Sequence, residues 1–299
     1  MAADAAQTAA RWEAQLQRNP HPDFKATETS RPPFDTASKF RFTQTVSPTW
    51  KFGDGANNTS SPSPAVPHVT IDPYAKGRSA AFNYKLLISA VVPRPIAFLS
   101  TRSKDGTVTN LAPFSYFQLI AHDPPMFVVG FSTPLERAKD SLRNLTESGE
   151  CVINVISEGY VEAANSASIN APYGVSEWDI SGLTPLYDCE TVQCARVREA
   201  VFSIEGKVES MREFDSKATP GKKSATMVTI EGTRFWARED AINADRNIID
   251  PEVLRPISRL GGITYGRTTE AFEIPRPDFD KDLGGVEGAA KLESKHPAN

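Results

Sequence analysis

The residues best suited to chemistry lie between positions 92 and 117, where small hydroxyl side chains, a guanidinium and two prolines stand close together. The prolines favour an extended approach to an apolar run, and Lys104-Asp105-Gly106 has the composition of a tight turn, so we expect a two-stranded hairpin. Hydroxyls, the Arg94 guanidinium and backbone amides around Ala112 and Ser115 suit a phosphate and a planar polar heterocycle. The alternative is an ordinary hairpin whose Ser and Thr serve as turn residues.

Several common catalytic signatures are absent from the sequence. No Gly-x-Gly-x-x-Gly follows a strand pattern, so a Rossmann dinucleotide site is not supported. Gly221-Lys222-Lys223-Ser224 lacks the earlier glycine of a phosphate loop and has Lys223 where a hydroxyl residue should follow Lys222, which indicates an exposed basic loop. The four histidines show no paired spacing, and we predict no metal site. Ser176 lacks the nucleophile elbow of serine hydrolases.

Short β-branched and aromatic runs dominate the region between Tyr84 and Ile274, and helical patterns are fewer. Strict alternation of strands and helices is missing, so we predict a mainly β barrel with some helices. The expected strands are Ile96–Ser100, Met126–Phe131, Cys151–Ile156, Val201–Glu205 and Thr226–Ile230. The expected helices are 5–18, Ser141–Glu147 before Gly149, and Val161–Ile169.

The first quarter of the chain is irregular and rich in proline, yet it carries more aromatic residues than a solvated linker needs. We therefore expect this arm to dock on the following domain or on a second subunit. The predicted division is 1–75 for the helix and arm, 76–275 for the barrel domain, and 276–299 for a flexible C-terminal tail.

Composition narrows the class of protein further. The 299 residues carry 33 Lys and Arg against 37 Asp and Glu, a formal net charge of −4, which argues against duplex nucleic acid or an anionic membrane as the main partner. No stretch approaches the roughly 20 apolar residues of a membrane span. The N-terminal residues lack the pattern of a secretory signal, and three cysteines do not form a disulfide framework. We predict a cytoplasmic protein.

A resemblance to a known family adds to this interpretation. Pro-Arg-Pro-Ile-Ala-Phe-Leu-Ser-Thr at residues 93–101, followed by Asp-Gly and Asn-Leu-Ala-Pro-Phe-Ser-Tyr-Phe at 110–117, resembles the signature of the flavin reductase-like, FMN-binding split-barrel family. The match continues at residues 122–125, 139–144 and 150–154, and it covers roughly residues 84 to 270. The long arm and the segments 164–165 and 173–178 resemble a fungal branch described as flavoprotein oxygenases.

The resemblance implies an FMN site in a groove of a split β-barrel, at or near a homodimer interface. It assigns contacts along the hairpin to Arg94, Pro95, Ser100, Thr101, Asn110, Ala112, Ser115 and Phe117. It assigns the phosphate end to Lys139, Asp140 and Ser141, with Asn144 in support, because a helix N-terminus attracts anions. The family more often has Thr at position 141. Tyr265, in a glycine-rich segment that resembles the family's closing motif, is a further candidate.

The same positions have structural alternatives. Residues Lys139–Ser141 can form a plain helix cap with Asp140 as the N-cap and Lys139 in solvent, and Tyr265 can be a core residue beside a turn. Glu177 and Trp178 could border the pocket, but such a tryptophan is more often a packing anchor, so neither is included in the predicted site.

The function that follows from the resemblance is hydride transfer from NADH or NADPH to flavin, then electron delivery to oxygen, an acceptor or a partner monooxygenase. Hydride transfer needs no acid or base from a side chain, so we predict no catalytic residue. A flavin-dependent oxygenase acting on an organic substrate and a non-catalytic flavin-binding protein are the alternatives.

Overall fold

The computed structural model describes residues 19–56 and 66–292. These residues form two compact units, a larger one from 19–36 and 73–268 and a smaller one from 37–56, 66–72 and 269–292. The helix predicted over residues 5–18 lies outside the described residues. No helix of the described part of the chain is long and apolar enough to cross a membrane.

Strands dominate the larger unit, as predicted. Numbered in chain order, the strands of the chain are β1 (Arg41–Phe42), β2 (Ala97–Arg102), β3 (Thr109–Phe114), β4 (Phe117–His122), β5 (Pro125–Phe131), β6 (Glu150–Val155), β7 (Pro185–Leu186), β8 (Arg196–Val197), β9 (Phe202–Asp215), β10 (Lys223–Ala237), β11 (Ile257–Gly261), β12 (Thr264–Arg267) and β13 (Glu270–Ala271). The α-helices are α1 (Phe24–Thr29), α2 (Ala80–Ala90), α3 (Asp140–Ser148), α4 (Val161–Ser166), α5 (Glu177–Ser181), α6 (Pro251–Leu254) and α7 (Gly285–Ala290).

Seven strands form one antiparallel sheet in the order β3-β2-β6-β9-β10-β5-β4. Its two edge strands, β3 and β4, follow each other in the chain and are separated only by Ser115 and Tyr116. No ladder joins these two edges within the described residues, so the sheet is split at this point. Apolar side chains fill its interior, including a stack of Phe117 on Phe127 with ring centroids 6.0 Å apart.

The predicted hairpin is formed by β2 and β3. Thr101 lies opposite Asn110 in this ladder, and Leu99 lies opposite Ala112. The turn requires a left-handed residue, which Gly106 supplies with φ of 76°. The Asp105 carboxylate fixes the turn by accepting from Ser103 Oγ (2.6 Å) and Thr107 N (3.1 Å). The turn therefore holds the two strands in a single register.

Helix α3 packs against the sheet beside this hairpin. Its apolar side chains Leu142 and Leu145 are buried among the residues of the sheet interior. Gly149 ends the helix in the left-handed conformation with φ of 72°, and its N–H donates to Leu145 O. This helix agrees with the sequence prediction, whereas α4 ends at Ser166, short of the predicted Ile169.

A second cluster of buried side chains lies between β2, α4 and α5. Trp178 of α5 is buried there with Phe98, Leu111 and Tyr160. This packing places α5 against the outer edge of β3.

The smaller unit is built around a short parallel pairing of β1 with β13. Arg41 and Glu270 form an ion pair across it (2.5 Å), and Trp50 packs edge-on against Phe52. The C-terminal segment from residue 276, predicted as a flexible tail, contains α7 in its described part. The three-part division of the chain stays a prediction.

Candidate functional site

Hydrogen bonds between buried side chains join the hairpin to α3. Asn144 Nδ2 of α3 donates to Thr101 Oγ1 of β2 (3.2 Å), and the Asn110 amide of β3 lies 2.7 Å from Ser141 Oγ of α3. All four side chains are buried. The structure therefore brings four of the predicted cofactor residues into one polar group, Thr101, Asn110, Ser141 and Asn144, which we call the hairpin–helix cluster.

Glu177 of α5 completes this cluster. One orientation of the Asn110 amide satisfies every neighbour: Oδ1 accepts from Ser141 Oγ (2.7 Å) and Leu111 N (3.1 Å), and Nδ2 donates to Glu177 Oε2 (3.1 Å). Only 4% of Glu177 is exposed. Burial raises the pKa of its carboxyl above the ordinary range, and nearby backbone N–H groups oppose that rise. Because Glu177 accepts from the amide nitrogen of Asn110, the amide oxygen is the atom that points towards Ser141 of α3.

The start of α3 offers a second group of donors. Lys139 precedes the helix and Asp140 is its first residue, and no side chain caps this end in the described structure. The first N–H groups of an α-helix have no partner within the helix and carry its positive dipole end. Lys139 is exposed, and its Nζ donates to Asn170 Oδ1 (3.0 Å). The helix start therefore suits an anion, although the Asp140 carboxylate offsets part of the attraction.

The alternative interpretation of this helix start holds only in part: Lys139 is exposed to solvent, but the expected cap is not formed. It required Asp140 as the N-cap, with its side chain accepting from the first turn. Lys139 is the N-cap residue instead, and no side-chain capping bond is formed there.

The segment between α4 and α5 lies against α3. Tyr173 Oη donates to Asn144 Oδ1 (3.2 Å), and the Arg143 guanidinium stacks on the Tyr173 ring, 4.1 Å from its centroid. Asn170 of the same segment holds Lys139. These contacts orient Asn144 and Lys139, two residues of the predicted site, from outside the sheet.

Arg94 and Pro95 lie at the beginning of β2. Arg94 is buried, and its Nη1 donates to Ile88 O and Val91 O at the end of α2, both at 2.6 Å. Its Nε is also buried and has no partner in the described structure. Burial lowers the pKa of this guanidinium. Pro95, by contrast, is exposed. Arg94 therefore links α2 to the sheet, and one of its donors is unused.

The other predicted hairpin residues are spread over β2, β3, the link after β3 and β4. Ser100 is buried in β2 between Leu111 and Val152 of its neighbours. Ala112 and Ser115 are half-buried, and Phe117 packs into the sheet interior. In the described structure, no hydrogen bond joins these four residues to the hairpin–helix cluster.

Tyr265 lies in β12, and its hydroxyl donates to Asn165 Oδ1 of α4 (2.8 Å). The Arg259 guanidinium lies over its ring, 4.3 Å from the centroid. The ring also packs against the second apolar cluster, so Tyr265 makes the contacts expected of a core residue beside a turn. Its role in cofactor binding stays a prediction.

Sequence reasoning left out several side chains that shape this region. Glu177 was considered and excluded, and Tyr173, Asn165 and Asn170 were not singled out as contacts. The segments 164–165 and 173–178 had been noted only as part of the family resemblance. Trp178 packs in the core as its structural alternative proposed.

The split antiparallel sheet, with a polar cluster where a hairpin meets a helix start, defines a split-barrel protein. Residues 89–250 match the family described as flavin reductase like domain, and the chain belongs to this family. The sequence is 37% identical over 201 residues to an uncharacterized protein of Halalkalibacterium halodurans, covering 67% of this chain and 93% of that protein.

Solved structures support the same assignment. Component B of nitrilotriacetate monooxygenase from Bacillus cereus is 33% identical with a TM-score of 0.63, over 70% of this chain and 99% of that one. A split barrel protein of Shewanella frigidimarina, 18% identical, has a TM-score of 0.56 over 67% of this chain and 94% of that one. The predicted fold, a mainly β split barrel, is confirmed.

Proposed function

We propose that this protein is an FMN-binding oxidoreductase that accepts hydride from NADH or NADPH and delivers electrons to oxygen or another acceptor. The observation that carries the proposal is the hairpin–helix cluster, which meets the uncapped start of α3 in a chain of the flavin reductase-like family. Flavin oxidoreductase chemistry is supported by the family, and the choice of FMN rests on the residues below.

The residues at the helix start fit a phosphate. Free N–H groups of the first turn, the Lys139 ammonium and the Ser141 hydroxyl are all donors, as a phosphate requires. We propose that Lys139 and Ser141 hold the phosphate of FMN and that Asn144, itself held by Thr101 and Tyr173, is a supporting polar contact. A bound phosphate would replace two contacts, that of Lys139 with Asn170 and that of the Ser141 hydroxyl with Asn110 Oδ1.

The hairpin side fits the remainder of the cofactor. Asn110 supplies an amide that both donates and accepts, and Ser115 and Ala112 lie at the split where β3 ends. We propose that Asn110, Ala112, Ser115, Ser100 and Thr101 border the flavin, with Arg94, Pro95, Phe117 and Tyr265 at its periphery. The roles of all these residues stay predictions.

The cofactor supplies the redox chemistry, because bound FMN takes a hydride from a reduced nicotinamide and passes electrons on. The protein's contribution is to bind, orient and shield. Buried Thr101 is held by Asn144 and buried Ser141 by Asn110, so these polar groups are positioned before a ligand binds.

A partner monooxygenase is one proposed electron acceptor. Its support is the similarity to a protein that is itself a component of a monooxygenase. The cytoplasmic location and the narrower fungal, flavoprotein oxygenase-like branch stay predictions.

The test combines a binding and a reduction measurement. We expect the purified protein to bind added FMN and to bleach near 450 nm, roughly the absorbance maximum of flavins, when mixed anaerobically with NADH or NADPH in a stopped-flow instrument. Binding without rapid bleaching by either nicotinamide would favour the oxygenase or the non-catalytic alternative. Protein that does not bind FMN would contradict the proposal.

A further inference from the structure

A cavity lies beside α3, outside the hairpin–helix cluster. Its volume is about 430 Å³, which is within the usual range for small-molecule sites. One wall is the turn of the β2–β3 hairpin, and the other is the outer face of α3 with Tyr173. The lining side chains are Ser103, Lys104, Asp105, Thr107, Val108, Arg143, Glu147 and Tyr173.

The wall formed by Arg143 and Tyr173 suits a flat heterocycle. The guanidinium already stacks on the phenol ring at 4.1 Å, and both groups present planar faces on which a base can stack. Arg143 is held in place by Glu147, whose Oε1 lies 2.9 Å from Arg143 Nε. Val108 adds an apolar contact on the hairpin side. The cavity therefore offers a purine base both a stacking surface and an apolar contact.

The charges of the lining residues balance. Lys104 and Arg143 contribute two positive charges, and Asp105 and Glu147 contribute two negative charges. The Asp105 carboxylate accepts from Ser103 and Thr107, and these bonds lower its pKa to about 2, so it is ionised at neutral pH. Carboxylates accept hydrogen bonds from ribose hydroxyls and repel a phosphate on the same ribose. The cavity is therefore suited to a neutral nucleoside.

The cavity lies next to residues of the proposed flavin site. Tyr173 forms its wall and also donates to Asn144 of the hairpin–helix cluster. Arg143 lies three residues after Asp140, about one helical turn from the start of α3 where the phosphate of FMN is proposed to bind. The distance along α3 from that phosphate to Arg143 is therefore short on the scale of a dinucleotide.

We propose that the cavity binds the adenosine half of a dinucleotide that carries no 2′-phosphate. The assignment rests on the proposed function, since it extends the flavin phosphate site along α3. FAD and NADH both supply this adenosine, and NADPH is disfavoured by Asp105 and Glu147. The protein then distinguishes FAD from FMN through contacts with the adenosine of FAD, which FMN lacks.

The first experiment measures FAD, FMN and ADP binding by isothermal titration calorimetry. Arg143→Ala should weaken FAD and ADP binding about tenfold, because stacking on one base contributes about 1–3 kcal/mol, and should leave FMN affinity within threefold. Tyr173→Ala should weaken FAD and ADP binding similarly, whereas Tyr173→Phe keeps the ring and should retain ADP binding. Arg212→Ala removes a guanidinium stacked on Phe214, away from the cavity, and is the matched control.

A second measurement identifies the source of the adenosine. If FAD affinity falls in Arg143→Ala, the cavity serves the flavin dinucleotide. If FAD is unaffected but the dissociation constant of NADH for the FMN-loaded protein rises, it serves the nicotinamide dinucleotide. If Arg143→Ala changes neither FAD nor NADH binding, the assignment of the cavity is wrong while FMN binding and the proposed function stand. Wild-type protein that binds ADP but not FMN would contradict the proposed function alone.

Discussion

At the scale of single residues, the strongest polar anchor outside the candidate site is Glu205 of β9. Its carboxylate is fully buried and accepts from Thr191 Oγ1 and Thr191 N (both 2.6 Å), Glu190 N (3.0 Å) and Trp236 Nε1 (2.7 Å). Burial opposes ionisation, but these hydrogen bonds outweigh it and lower the pKa of Glu205 to about 2. The residue therefore ties the segment before β8 to the sheet.

Replacing Glu205 by Gln should destabilise the protein at pH 7. The amide NH2 of Gln would face backbone and indole donors, and leaving such buried donors unsatisfied costs about 2–4 kcal/mol of unfolding free energy. Because the folded-state pKa is depressed, the stabilisation is fully present above the ordinary Glu pKa of about 4.3 and is lost as the pH falls towards 2.

Denaturant unfolding of the wild type and Glu205→Gln at pH 7 and pH 3 checks this prediction. The difference between the two proteins should be smaller at pH 3. Glu209→Gln is the matched control, since this exposed carboxylate lies on the same strand. A deficit that does not depend on pH would show that Glu205 acts through packing instead of through its charge.

The family resemblance, carried by short motifs in the sequence, selected Asn110 and Ser141 as cofactor residues. The structure places these two side chains 2.7 Å apart although 31 positions separate them, and their cofactor role stays a prediction. Glu177 was left out together with Trp178, because such a tryptophan is more often a packing anchor, whereas its neighbours in the structure, Leu111 and Asn110, lie more than sixty positions away in the chain. Glu177 is buried because α5 packs against β3, which is distant in the sequence. The residues next to Glu177 in the sequence therefore do not indicate that its carboxylate is buried.

At the scale of elements, α3 is the critical helix, because it supplies Ser141 and Asn144 to the cluster and its start faces Lys139. Lys139→Glu should weaken FMN binding about tenfold or more, since it exchanges an attractive charge for one that repels phosphate. Lys139 is exposed, so the fold should not change.

Fluorescence titration of FMN measures this effect. Lys217→Glu, which alters an exposed lysine in the turn between β9 and β10, changes the net charge equally and should bind FMN as the wild type does. Equal affinities of all three proteins would place the phosphate elsewhere.

The sequence predicted buried parts of strands better than exposed ones. Val201–Glu205 and Thr226–Ile230 were expected as strands, but β9 and β10 continue to 14 and 15 residues. Their outer halves are largely exposed and polar, so apolar alternation fades there while backbone pairing between the two strands continues. Helix α2 was not predicted, and its ends carry no capping side-chain bond that the sequence could have revealed.

At the scale of the whole molecule, the edge strand β4 presents an apolar surface. A bulge at Ile120 places it and Leu119 side by side, and they are 55% and 52% exposed. Tyr116, just before the strand, is 41% exposed. Exposed apolar edge strands favour pairing with another chain, and burying one aliphatic side chain contributes about 1.5–3 kcal/mol. This surface supports the homodimer that the sequence resemblance implied.

We expect the protein to be a dimer at micromolar concentration and Ile120→Lys to dissociate it. A lysine on each copy would bring a charge into the apolar surface, and losing a central interface residue should raise the dimer dissociation constant about tenfold or more. Sedimentation velocity over a concentration series measures the shift, with Ile248→Lys, a substitution of another exposed isoleucine, as the control. A monomeric wild type would exclude the dimer, whereas a dimer that persists unchanged in Ile120→Lys would place the interface on a different surface and free β4 to contact another partner.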